Sequence, residues 1–147
     1  MHVVQWHQVI ITVKELPKKV QDLFNDDQAV KVLATQAKNG MLHAVPLGSL
    51  RALAPNTLIF ANILAKETHA NMEETLKRGG WVSALAIKGG EAYQVRCKAK
   101  TYMTSGPAYD RMSEVLKARG MTAAGVWLLE PIEVINQSPG PNAGKPM

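Results

Sequence analysis

From Glu91 to Thr104 the side chains alternate with a period of two. Tyr93, Val95, Cys97, Ala99, Thr101 and Met103 fall on one face, and Gln94, Arg96, Lys98, Lys100 and Tyr102 on the other. Only an extended strand places residues i and i+2 on one side, so this run predicts a long β-strand with one buried face. A strand of that length in a chain of 147 residues must find partners and curl. A chain this size can bury roughly 68–70% of its unfolded surface in one core, so a single domain is expected.

The flanking segments predict more strands joined by tight turns. Residues 2–13 carry no charge and alternate loosely, which suggests a first strand. Leu16-Pro17 opens a short helix whose Val20, Leu23 and Phe24 share a face. In residues 28–36, Val30, Val32 and Ala34 oppose Lys31, Leu33 and Thr35, and Asn39-Gly40 then marks a hairpin turn. A long strand is expected from Met41 to Leu53, a turn at Pro55-Asn56, and another strand from Thr57 to Asn62. A helix is expected from about Thr68, as N-cap, to Arg78, stopped by Gly79-Gly80. Trp81 to Ile87 reads as strand. Tyr109, Met112, Val115 and Leu116 form the stripe of a third helix, and residues 123–135 a last strand. From Ser138 the Pro/Gly-rich run reads as a flexible tail, leaving residues 1–137 as the domain. Consecutive hairpins with three short helices predict a mainly β, antiparallel barrel or curled sheet.

Composition narrows the class. Hydrophobic residues make up 46% and charged residues 20%, the balance of a folded globule rather than a disordered chain. No apolar run approaches the ~18 residues of a membrane span, and the N-terminus has no basic region or small-residue cleavage site. One cysteine, Cys97, excludes an intrachain disulfide; its place on the apolar face makes it a core thiol. These features point to the cytoplasm. The four histidines lack metal-ligand spacing with acidic or cysteine partners, so no metal is expected. The net charge of +5 favours anionic partners. Aromatic residues are only 5%, too few for a base-stacking platform, which weighs against nucleic acid.

Three segments could carry chemistry. Val45-Pro46-Leu47-Gly48-Ser49-Leu50-Arg51 lies inside the long strand yet holds a residue that cannot donate and one without a side chain, which suits an edge or bulge approached closely by a ligand. Within it, Ser49 and Arg51 offer a hydroxyl and a cation from one face. Blunting of an edge strand explains the same residues without a ligand. Asn62 to Asn71 runs from a strand end into a helix start, where unpaired amides, the Thr68 hydroxyl and the Lys66 ammonium suit a phosphate. The Arg96/Lys98/Lys100 stripe reads as a solvated strand face.

In order and spacing these pieces resemble the FMN-binding split β-barrel family, the pyridoxamine 5′-phosphate oxidase-like superfamily. The resemblance lies in Val32-Leu33-Ala34-Thr35 before the Asn-Gly turn, Ala44-Val45-Pro46-Leu47-Gly48-Ser49, and Thr57-Leu58-Ile59-Phe60-Ala61-Asn62. It continues through Lys66-Glu67-Thr68-His69-Ala70-Asn71-Met72 and Thr104-Ser105-Gly106-Pro107, covering about residues 15–135. The resemblance implies an antiparallel split barrel, an FMN cofactor, and a homodimer with each flavin in the groove between subunits. Carried over by position, it makes Pro46, Leu47, Gly48, Ser49, Arg51, Ala61, Asn62, Lys66, Thr68 and Asn71 the expected flavin contacts.

Two departures qualify what is implied. Family members usually have lysine directly before the threonine, where this chain has Glu67; its carboxylate must point away from a bound phosphate, or the site is reworked. The Trp/Arg/His-rich C-terminal region that holds a pyridoxal-type substrate is replaced by Leu128 to Ile135 and a Pro/Gly run, which weighs against oxidation of a pyridoxine vitamer. The expected role is flavin-mediated electron transfer or reduction of a small acceptor, with donor and acceptor unnamed and no side chain assigned as acid or base. The alternatives are a non-catalytic module of the same fold, holding a deazaflavin, haem or stored flavin, and then a nucleic-acid-binding barrel.

Overall fold

A computed structural model describes residues 3–6 and 9–147, with side-chain surroundings from Thr12 onward. The elements follow in order as β1 (Val3–Trp6), β2 (Val9–Thr12), α1 (Lys18–Phe24), β3 (Val30–Gln36), β4 (Leu42–Pro46), β5 (Arg51–Ala54) and β6 (Thr57–Asn62). They continue with α2 (Lys66–Arg78), β7 (Trp81–Lys88), β8 (Glu91–Met103), α3 (Pro107–Lys117), β9 (Gly125–Asn136) and β10 (Lys145–Pro146). The main sheet runs β4-β3-β7-β8-β9-β6-β5, antiparallel throughout, with β10 added to β9.

The expected mainly β antiparallel architecture is therefore present, with three helices. Its inside is filled from both ends of the chain. Phe24 of α1, Leu33, Leu58, Phe60, Val95, Trp127 and Leu129 of the strands, and Met72 of α2 form one cluster. A second cluster lies on the other face of β6 and β9, where α3 packs Met112 and Leu116 against Ile59, Ala61 and Val126. Each fully buried side chain of this kind contributes about 1.5–3 kcal/mol.

Four expectations change. The first strand divides into the hairpin β1–β2, with residues 7 and 8 outside the described ones. The strand expected from Met41 to Leu53 is two, β4 and β5, on opposite edges of the sheet. The chain crosses between those edges at Leu47 to Leu50, turned by a hydrogen bond from Leu50 N to Leu47 O at 3.1 Å. Proline and glycine weaken ladder pairing there, so the strand breaks at this point.

Helix α2 begins at Lys66, with Ala65 as N-cap and no side-chain capping bond. Thr68 thus lies inside the first turn rather than capping it. At the other end Gly79, with φ +64°, caps the helix, and Gly80 N donates to Thr75 O at 2.9 Å. Lys98 reinforces that end by donating to Gly79 O at 2.6 Å while its ammonium lies 4.1 Å from the Trp81 ring centre. With Arg96 paired to Glu133 at 2.9 Å, the basic stripe of β8 serves the fold at two positions. A cation at a helix C-terminus is favourable because the free carbonyls carry partial negative charge.

The tail from Ser138 is structured. Lys145 and Pro146 pair with Asn136 and Ile135, Gly144 N donates to Asn136 O at 2.7 Å, and Met147 N to Val134 O at 2.8 Å. Met147 packs on the main core. Backbone pairing along an open edge needs no apolar periodicity, which is why the tail carries no strand signal. Deleting residues 138–147 should cost about 2–4 kcal/mol, from backbone bonds worth ~1 kcal/mol each plus the Met147 contact. A melting temperature lower by several degrees is expected in calorimetry; an unchanged one would show that the pairing adds nothing.

Candidate functional site

The region around the start of α2 gathers four of the ten expected contacts. Asn62 ends β6, three residues separate it from α2, and Lys66, Thr68 and Asn71 follow on the first turns. Asn71 faces inward and donates from Nδ2 to Thr35 Oγ1 at 3.0 Å, tying α2 to β3. Thr68 is 1% exposed, and its Oγ1 has no hydrogen-bond partner. A buried hydroxyl without a partner costs about 1–3 kcal/mol, so its presence signals a missing one. The first amides of α2 have no intrahelical acceptor and carry the positive end of the helix dipole. Lys66 is exposed beside them.

Glu67 is directed away. Its Oε2 lies 2.7 Å from His43 Nδ1 on β4, so the carboxylate is held toward the sheet edge. The feature that set this chain apart from the usual lysine-threonine order is thereby removed from the N-terminal amides.

The crossover contributes differently. Pro46 ends β4 opposite Val32, where an edge position leaves its missing donor without consequence. Leu47 N donates to Lys31 O at 2.9 Å, and Gly48 passes close to Arg119. Ser49 is buried, and its Oγ accepts from Ala61 N at 2.9 Å, replacing the ladder partner that β5 no longer supplies. Ser49 and Ala61 are therefore brought together, with one hydroxyl lone pair already used. Arg51 is not joined to Ser49. It pairs across from Ile59 and lines a separate pocket under α3.

Three residues that the sequence pattern did not single out complete the region. His69 Nδ1 accepts from Trp127 Nε1 at 3.0 Å, which in the neutral ring leaves the proton on Nε2, 3.5 Å from Glu73 Oε1. The Tyr102 ring packs against both at a tilt, with ring centres 4.8 Å from His69 and 5.0 Å from Trp127. Its hydroxyl accepts from Asn62 Nδ2 at 3.2 Å. Asn62 is thus oriented by Tyr102 with its Oδ1 free to accept. The meeting of Tyr102 and Trp127 depends on a bulge in β8. Ala99 pairs with Leu129 but Thr101 with Leu128, so Lys100 is an extra residue and the alternation inverts after it. Tyr102 turns to the main core and Met103 to the α3 side, the reverse of the expected faces.

Cys97 is buried, as the apolar face of β8 required, and burial pushes its thiol pKa well above the ordinary value. No reactive role follows from it. Among the described residues no helix is long and apolar enough to cross a membrane.

No protein-family model matches the sequence, and no curated protein matches it. Solved structures do. HupZ from Group A Streptococcus is similar over 88% of this chain and 99% of its own, with TM-score 0.73 and 21% identity. An FMN-binding protein from Syntrophomonas wolfei matches 82% of this chain and 85% of its own, with TM-score 0.72 and 18% identity. A pyridoxamine 5′-phosphate oxidase-related, FMN-binding protein from Nostoc punctiforme matches 85% of each chain, with TM-score 0.54 and 12% identity. Over most of its length this chain has the fold of the pyridoxamine 5′-phosphate oxidase-like FMN-binding split β-barrels.

Proposed function

We propose that this chain binds FMN, with the phosphate on the N-terminal turn of α2, and supports flavin-mediated electron transfer or reduction of a small acceptor. The observation that carries the reading is the orphaned Thr68 Oγ1 in that turn, beside Lys66 and with Glu67 drawn off by His43. A phosphate oxygen is an acceptor that a hydroxyl, an ammonium and free amides can share. Asn62, held by Tyr102, offers Oδ1 to a donor on the ring or the ribityl chain, and Asn71 locks α2 against β3. Pro46 to Ser49 supply backbone at the crossover. Arg51 is left out of this set. When bound, FMN supplies the two-electron chemistry; the chain's own groups bind, orient and exclude water. Purified protein should be yellow and release FMN on denaturation. Protein that binds no flavin at micromolar concentration would reject the reading.

A homodimer belongs to the same proposal. On β3 the buried face is Lys31, Leu33 and Thr35, so Val30, Val32 and Ala34 face outward. They continue on the same side into Leu42, Ala44 and Leu85 of the paired strands. Leu42 is 81% exposed. An uncharged, apolar outer face of this kind is a surface that water does not stabilise, and a second copy of the same sheet would cover it. Leu85→Asp, at the centre of that face, should convert a dimer to a monomer in sedimentation equilibrium. An unmutated protein that is already monomeric with flavin bound would remove the inter-subunit groove.

A further inference from the structure

The pocket between α3, β5 and the end of α1 has a donor set unlike that of the α2 region. It encloses about 180 Å³ over a floor of Leu53, Ile59, Met112 and Val115, with Arg51 and Arg111 at its polar side. Neither guanidinium has an ion pair or hydrogen bond among the described residues. Asn25 completes the lining: its Oδ1 accepts from Ala52 N at 2.9 Å, which leaves the Nδ2 hydrogens as donors. No acidic residue lines the pocket. The two carboxylates at the end of α1 are engaged elsewhere, Asp26 with Lys88 at 2.6 Å and Asp27 with Arg119 at 3.0 Å.

We propose that this pocket binds a small amphipathic anion, a carboxylate on a single ring or short branched chain, with the carboxylate between Arg51 and Arg111 and the apolar body on the floor. Planar guanidinium groups match the two oxygens of a carboxylate, and Arg51 and Arg111 line one pocket that no acidic side chain lines. The size agrees, because a cavity of about 150 Å³ accepts a benzene ring. The surrounding field agrees as well. Lys31 is 3% exposed nearby, and its pKa is lowered, first by burial and then by the Arg51 guanidinium. An anion at Arg51 offsets that crowding of positive charge. The site draws on no residue of the α2 turn and stands whether or not FMN binds there.

Calorimetric titration of the full chain with benzoate, benzyl alcohol and inorganic phosphate tests it. Benzoate should bind at millimolar concentration or below, at least about tenfold more tightly than either of the others, since only benzoate has both the charge and the ring. Arg111→Met, at an exposed helix position, should weaken benzoate about ten- to a hundred-fold with the melting temperature unchanged. Arg51→Met should do the same in the ligand-binding arm. Absence of benzoate binding, equal binding of benzyl alcohol, equal binding of phosphate, or an unchanged benzoate affinity in Arg111→Met would each overturn the proposal.

Discussion

Thr68→Val should raise the melting temperature of the ligand-free protein while weakening its binding of FMN. Valine keeps the shape and the β-branch of threonine and replaces an orphaned hydroxyl with a methyl group. Removing a buried polar group that has no partner is stabilising by about 1–3 kcal/mol, and no N-cap is lost, because Ala65 occupies that position. Had Thr68 capped the helix, the same kind of change would have cost ~1 kcal/mol. The sign of the stability change therefore separates the two placements. Lys66→Ala should lower FMN affinity roughly ten- to a hundred-fold, the worth of one charge-assisted contact. It should largely spare riboflavin, which has no phosphate. Equal losses for FMN and riboflavin would put the phosphate elsewhere. Glu67→Lys is informative too. It breaks the pairing with His43 and adds a cation at the first turn, so FMN binding should tighten if the new side chain turns toward the phosphate. Fluorescence titration with each flavin reads all three variants.

Gly125→Ala should be the most destabilising single-methyl change at this end of the barrel. The Tyr102 ring lies directly on the Gly125 backbone, so an added Cβ would overlap Cζ and the hydroxyl oxygen. The ring must move, and with it go the hydrogen bond from Asn62 and the contacts with His69 and Trp127. Overpacking costs about 1–3 kcal/mol, the hydrogen bond ~1 and the aromatic pairing about 0.5–1.5, so a loss of roughly 3–5 kcal/mol is expected. For a chain of this size that lowers the melting temperature by about 10 °C or more. The clash has a built-in control. Tyr102→Ala should also destabilise, yet adding Gly125→Ala to it should cost little, because the obstructing ring is gone. A double-mutant cycle that showed strict additivity would mean that the glycine is there for another reason. Since Asn62 depends on Tyr102 for its orientation, Gly125→Ala should weaken flavin binding even at temperatures where the variant is folded.

The elements themselves were legible where one face of a strand or helix is buried. β7, β8, α1 and α3 lie within a residue or two of their expected positions, because burial of one face imposes a period of two or 3.6 that the residues must satisfy; β6, buried on both faces, reads instead as a short apolar run after the Pro55-Asn56 turn. The Asn39-Gly40 turn likewise marked a break, whereas Pro46 and Gly48 signalled only an irregularity inside what was expected to be one strand from Met41 to Leu53. Proximity in the chain also made part of the candidate site legible: Asn62, Lys66, Thr68 and Asn71 lie within one strand end and one helix start.

What joins distant residues was decided only by the tertiary structure. Alternation places the edge of a strand but not its partner, so nothing local showed that β4 and β5 would part to opposite edges or that Ser49 would serve the Ala61 amide. The tail has no periodic pattern because an added edge strand is held by backbone bonds, which every residue but proline can donate. The bulge at Lys100 is the clearest case. One unpaired residue inverts the side-chain faces, and only the register with β9 determines where it falls. That inversion brings Tyr102 to Trp127, His69 and Asn62 from three other elements. Likewise, Arg51 and Arg111 share one pocket only because α3 folds back over β5. Local residue order settles which segments extend or coil; the pairing register settles which side chains meet.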